Sequence, residues 1–261
     1  MNFLDWNQRG LIPGPQESEE AFLKRVARST PCAVEAEWQD SARATRKLFD
    51  FSIDWVKVFF SDKDLPFWQG AATWIEEEKV SIQLKQTFRS GSHLRIYKSQ
   101  EVLAHEALHA ARFTFNEPQF EELLAYQTSA NRWRRWLGPL FEASWESYLL
   151  LCLLLVSLLA QSIEITIATH PLLTLATWLP WMGMGAGLCR LFYRHFLLQR
   201  CLQNLKKTLK HPEQSLAVAC RLTDREIRTC AHLPPSKIAD YLSQENSLRC
   251  RQIQAVYFNR L

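Results

Sequence analysis

Residues 105–109 read HEALH, within the stretch YKSQEVLAHEALHAARFTFNEPQFEELLAY. On a helix, His105 and His109 stand one turn apart on one face and can hold a single tetrahedral metal ion. Glu106 is rotated by about 100° from His105 and can stand beside the metal as the base that takes a proton from a bound water. Ala104, Ala107, Ala110 and Ala111 keep this helix slim, so a neighbour can pack close.

A third ligand must come from elsewhere. No cysteine lies at useful spacing, and the next histidine is His170, but Glu117, Glu121 and Glu122 are near. Ser99 is a fair N-cap for a helix over 100–113. Asn116 can cap a second helix, with Pro118 in its first turn and Gln119 at the reciprocal capping-box position. So short a connection makes the two helices antiparallel. At 1.5 Å per residue, the two histidines and the pair Glu121/Glu122 all lie roughly 9 Å from the turn. Both carboxylates reach the right depth, and depth does not choose between them.

The elements before this pair must position it. Ser18 can cap a helix over Glu19–Arg28, and a second helix is expected over 40–49. WVKVFF (55–60) and ATWIEEEKVSIQLKQTF (72–88) are rich in β-branched and aromatic residues. Val80, Ile82 and Leu84 alternate with Ser81, Gln83 and Lys85, as a half-buried strand requires. Ser90, Gly91 and Ser92 form a turn, and LRIY (94–97) is one more short strand. Residues 1–145 thus read as a small α+β domain, helices plus a short sheet.

Two apolar stretches follow. Residues 148–160 read YLLLCLLLVSLLA and, with Ile163 and residues 165–168, extend to about 20 residues, enough to cross a bilayer core. The second runs over 171–191 and carries Gly183, Gly185 and Gly187. Gly183 and Gly187 are spaced to let two helices approach closely, within the hairpin or in a dimer. Pro180 is expected to kink this helix. The reading is a transmembrane helical hairpin over 146–195, with Glu164 near its far interface. Arg132, Arg134 and Arg135 precede it, Arg190, Arg194 and Arg200 follow it, and the connection holds no Lys or Arg. Both flanks, and therefore the N-terminal domain and the C-terminus, are expected in the cytoplasm. Trp133, Trp136 and Trp145 suit an interfacial belt or a domain core. Residues 196–261 are polar and helical in pattern, broken at Pro234 and Pro235.

Bulk composition sets outer limits. In 261 residues, 47% are apolar, and the net charge is +4, which suggests no nucleic-acid partner. Seven cysteines without C-x-x-C spacing indicate reduced thiols rather than a disulfide framework or a cysteine zinc finger. The opening MNFLDWNQRGLIPGPQ has no basic start followed by an apolar run, so no cleaved signal is expected.

His105-Glu106-Ala107-Leu108-His109 followed by Glu122-Leu123-Leu124-Ala125-Tyr126 resembles the gluzincin metallopeptidases, in which H-E-x-x-H precedes a helix carrying E-x-x-[A/S]-x. The short spacing and small upstream domain look most like the minigluzincins. The added membrane helices are similar to the CAAX-processing and bacterial heat-shock membrane proteases, although here the zinc motif precedes both helices. The likeness covers about 25 positions. It implies a small zincin-like catalytic domain, Zn2+ held by His105, His109 and Glu122, and Glu121 as a solvent-side neighbour. It implies a membrane-anchored zinc metalloendopeptidase acting on a peptide or protein substrate, in which a zinc-bound water attacks and Glu106 is the general base. It also implies a substrate strand along a sheet edge, for which KVSIQLKQTF (79–88) is a candidate. One departure stands out: the membrane families place an aspartate four residues after the glutamate ligand, where it supports a zinc histidine, and here that residue is Tyr126. Tyr126 can instead donate to the developing oxyanion, as could His232 or Arg251. The competing expectation is a zinc-binding membrane adaptor that is non-catalytic, or latent because residues 196–261 fill the cleft.

Overall fold

In a computed structural model, residues 2–32, 39–66, 69–76, 79–93, 96–141, 144–167 and 170–258 are described. Residues 77–78 of ATWIEEEKVSIQLKQTF, 94–95 of LRIY, and Ala168 at the end of the first apolar stretch lie outside them.

The chain begins with α1 (Phe3–Gln8), α2 (Glu19–Arg28) and α3 (Gln39–Phe49). Ser18 caps α2 by accepting from the N–H of Ala21, as expected. Three strands follow: β1 (Lys57–Phe60), β2 (Ala71–Glu76) and β3 (Lys79–Leu84). Their order is β1-β3-β2, with β1 parallel and β2 antiparallel to β3. The segment expected to offer a free edge is therefore the central strand. The hairpin partner β2 covers one side of β3, β1 covers the other, and β1 and β2 are the two edges among the described residues. Val80, Ile82 and Leu84 face the core as their alternation requires, yet Gln83 is buried too. Its amide donates to the carbonyls of Ser61 (2.8 Å) and Lys63 (2.7 Å), and its Oε1 accepts from the Trp74 indole (2.7 Å), so the buried group is satisfied. Gly91 ends a short 3-10 turn with a φ of +90°, which suits glycine, and leads into a small ladder of β4 (Ser92–His93) with β5 (Tyr97–Lys98).

Next come α4 (Ser99–Arg112), α5 (Pro118–Ala125) and α6 (Arg132–Leu137). Then α7 (Ser144–Thr166) and α8 (Pro171–Thr208) are the two helices long and apolar enough to cross a membrane. They pair as a hairpin. A Cβ built on Gly183 would lie 3.4 Å from Leu153 of α7, and one on Gly187 would lie 3.5 Å from Leu140. The glycines thus serve the packing of this chain on itself. The Ser157 hydroxyl donates to the Thr177 carbonyl across the pair (3.3 Å), and Glu146 takes Arg190 bidentately at 2.6 and 2.9 Å. Pro180 lies inside α8 without ending it.

At 38 residues α8 spans roughly 57 Å, well beyond a bilayer core. It passes through the expected boundary at 195 without a break. Its later residues Leu197, Leu198, Cys201 and Leu205 are buried against α9 (Ser215–Ala219), α10 (Asp224–His232), α11 (Pro235–Gln244) and α12 (Leu248–Ile253). One apolar core joins these residues to Leu108, Phe120, Leu123 and Leu124 of α4 and α5. A second, smaller core lies between the sheet, α1, α2 and the inner face of α4. Trp133 (74% exposed) and Trp145 (62%) belong to neither core.

Candidate metal centre

Helix α4 lies between the two cores. Leu103, Ala107, Leu108 and Ala110 are buried, while His105, Glu106 and His109 face a cleft beneath β2. The expected cap is absent: Ser99 is the first helical residue, Lys98 precedes it in extended conformation, and neither supplies a side-chain cap. The α4–α5 joint also differs from expectation. Asn116 takes a left-handed φ of +50° and bends the chain rather than capping. Glu117 is the residue before α5, and the cap comes from far away: the Asp224 carboxylate accepts from the N–H groups of Gln119 (2.9 Å) and Phe120 (3.2 Å). Glu117 returns the contact, accepting from the N–H of Asp224 (3.0 Å). Burial and the neighbouring Asp224 carboxylate push the Glu117 pKa up.

The bend brings α5 back along α4 with Glu122 opposite the two imidazoles. His105 Nε2 and His109 Nε2 are 3.2 Å apart; Glu122 Oε2 lies 3.5 Å from the former and Oε1 3.3 Å from the latter. Three corners of a tetrahedron about zinc, with ligand bonds of about 2.0–2.1 Å, stand roughly 3.3–3.4 Å apart. Among the described residues this is the one group of three such donors placed to hold a metal ion. Two imidazoles and one carboxylate, with one corner left open, suit a catalytic rather than a structural site.

The electrostatics treat the two histidines differently. Burial, and then the charge of His109, lower the pKa of His105, favouring the neutral imidazole a metal requires. Burial opposes charge on His109 as well, but its hydrogen bonds to Glu121 and Glu122 outweigh burial and hold its pKa well above the usual value. Glu122 is held below the ordinary carboxylate range because His109 overcomes the cost of burial.

Glu121 departs from expectation. It does not face solvent; its Oε1 meets His109 Nδ1 at 2.7 Å, and its other oxygen lies 3.6 Å from Arg112 Nε. Sequence reasoning named the residue but not this role; its register showed only that it points about 100° away from Glu122. Thr73 of β2 went unnoticed: its hydroxyl donates to Glu106 Oε2 at 2.7 Å and ties the proposed base to the sheet edge.

Tyr126 begins a short 3-10 turn after α5, and its ring stands edge-on to His105 at 4.8 Å between centroids. Gly138 makes room for it, since a Cβ there would collide with the Tyr126 ring. Burial pushes the Tyr126 hydroxyl up to about 12, so it remains a donor at neutral pH. The other two donor candidates are elsewhere. His232 Nδ1 bonds the Arg228 carbonyl on α10 (2.8 Å), and Arg251 pairs with Glu19 (2.7 Å).

A groove passes the cluster on both sides. A larger cleft of about 760 Å³ and a smaller one of about 190 Å³ share Ala71, His105, Glu106 and Tyr126. The larger extends to Phe141 and Ser147, at the start of α7. No residue after Ser147 lines either cleft, so the described part of residues 196–261 packs behind the site and does not fill it. The chain matches no family model, no curated protein and no solved structure.

Proposed function

We propose that this chain is a membrane-anchored, zinc-dependent metallopeptidase of the gluzincin type, with a zincin-like domain built around α4, α5 and the β2 edge. The observation that carries this reading is the triad of His105, His109 and Glu122 at tetrahedral spacing with Glu106 beside it. Zinc held by those three residues would polarise the scissile carbonyl and lower the pKa of the attacking water. The residues of the chain supply the rest. Glu106, oriented by Thr73, accepts the proton as the water oxygen adds to the carbonyl carbon, then delivers it to the amine as the C–N bond breaks. Tyr126, neutral and fixed against His105, donates to the oxygen on which charge develops. The unpaired edge of β2 offers main-chain groups to an extended peptide, aligning it over Glu106.

In this reading α7 and α8 anchor the domain, and the arginines on both flanks favour a cytoplasmic domain and C-terminus. The larger cleft ends at Ser147, so peptide bonds are cut at the membrane face rather than within the bilayer.

The test is zinc content of protein purified without chelator, followed by peptide hydrolysis with Glu106→Gln as the control. About one zinc per chain, lost in His109→Ala and Glu122→Ala, with hydrolysis lost in Glu106→Gln while zinc is retained, is the expected result. Zinc without Glu106-dependent hydrolysis would favour a non-catalytic membrane adaptor. Absence of zinc would remove the peptidase reading and leave a metal-free membrane adaptor.

A further inference from the structure

The two histidines are supported in different ways. His105 has the Tyr126 ring against it, and among the described residues no protein group bonds its Nδ1. His109 has a carboxylate behind it: Nδ1–H donates to Glu121 Oε1 at 2.7 Å, which leaves Nε2 as the ring atom that faces His105 and Glu122 and that a metal would take. Glu121 is itself held. Arg112, one turn after His109 on α4, is fully buried and reaches Glu121 at ion-pair distance. Its Nη1 donates to the main-chain carbonyls of Cys220 and Leu222, and its plane lies over Phe115 at 4.2 Å. Two residues beyond Leu222, Asp224 caps the helix that carries both Glu121 and Glu122.

We infer that Glu121 is the positioning carboxylate of the metal centre, and that Arg112 fixes it from the loop over 220–222, so that the segment after the membrane helices is the outer wall of the site. This rests on the metal-centre reading above. Physically, the carboxylate selects the His109 tautomer, locks the ring and raises its basicity toward a cation. A charge supplied from the residue before the ligand replaces what Tyr126, without charge, does not supply. Arg112 is required because a carboxylate so placed must be kept from swinging toward the cation itself. The guanidinium is anchored on carbonyls that belong to a different part of the chain.

The experiment measures zinc affinity of the full-length protein in detergent by competition with a chromophoric chelator, alongside thermal unfolding of each metal-free form. Variants are Glu121→Gln, Glu121→Ala, Arg112→Lys and Tyr126→Leu. Glu121→Ala is expected to weaken zinc binding about 10–100-fold, the range for outer-shell partners of a ligating histidine. Glu121→Gln keeps an acceptor but no charge and falls between Ala and wild type. Arg112→Lys weakens binding in the same direction, and Tyr126→Leu leaves affinity near wild type. The metal-free Glu121→Gln unfolds at the wild-type temperature, which separates positioning from general stability. Wild-type affinity in both Glu121 variants overturns the inference while the metal centre stands. Failure of the wild-type protein to bind zinc overturns the metal centre, and this inference with it.

Discussion

Helix α8 is one unbroken helix with two different surroundings. Along its first half, Leu172, Leu175, Trp178 and Trp181 project away from the rest of the chain, and the buried contacts are few and small-scale, made around Gly183 and Gly187. Along its second half, Leu197, Leu198, Cys201 and Leu205 are covered by α10, α11 and the helices of the metal centre. Apolar side chains appear in both halves, but only the second removes them from contact with the surroundings by folding. The first half leaves them exposed and is long and apolar enough to cross a bilayer. The comparison shows that hydrophobicity alone does not divide this chain into a membrane part and a soluble part. The boundary lies within a helix, near Leu191, where the partners change from a single helix to a full core.

The largest effect that would test this contrast is removal of residues 196–258. If the second half of α8 is core, the truncated chain loses folded structure and zinc binding together, because Arg112, α5 and the main core all lose their partners. A truncated protein that still bound zinc would show that the N-terminal domain folds alone and that the contrast is false. Next is Leu198→Ala, expected to cost about 2–5 kcal/mol of stability in thermal or denaturant unfolding, as cavities in cores do. The matching Leu175→Ala should remain within about 0.5 kcal/mol. For the hairpin, Leu155→Asp at the middle of α7 should disfavour insertion by about 2.5–3.5 kcal/mol and shift protein out of the membrane fraction. Unchanged partitioning would argue against a spanning α7. The gentlest probe is acid. Arg249 and hydrogen bonds from Thr223 outweigh the burial of Glu226 and depress its pKa. Its stabilisation is therefore fully present above the unfolded-state value of about 4.3 and is lost as pH falls through the lower folded value. Unfolding followed downward from pH 5 should steepen there, and Glu226→Gln should flatten that dependence.

What could be read in advance was local in sequence. HEALH needed only helical spacing, the apolar runs needed only composition, and the Ser18 cap lies three residues from the N–H it serves. Contacts over long separations were not legible. Asp224 displaced Asn116 as the cap of α5 from 105 residues away, and nothing in NEPQFEE announces that partner. The continuation of α8 past 195 was hidden because a polar face over 199–207 reads as solvent-exposed whether or not its opposite face joins a core. KVSIQLKQTF (79–88) was a candidate edge through the resemblance, and its alternation reports one buried face but not how many neighbours flank the strand. Of the triad, the two histidines were legible from helical spacing, while depth from the turn left Glu121 and Glu122 equal and only the resemblance to gluzincins pointed to Glu122. The role of Glu121 was not legible, because it depends on Arg112 and on carbonyls supplied more than a hundred residues later.

The reciprocal cap between Glu117 and Asp224 also sets a clock. At roughly 5–20 residues per second of synthesis, Asp224 is added about 5–20 s after the ribosome has passed Gln119, with both membrane helices made in between. Until then the helix bearing Glu121 and Glu122 has an uncapped start, and the buried arginine behind it has no carbonyls to hold. A nascent chain therefore carries its metal-binding residues through translation without a finished centre. Completion follows the synthesis of α7 and α8, so the group of His105, His109 and Glu122 is finished only after both long apolar helices have been translated.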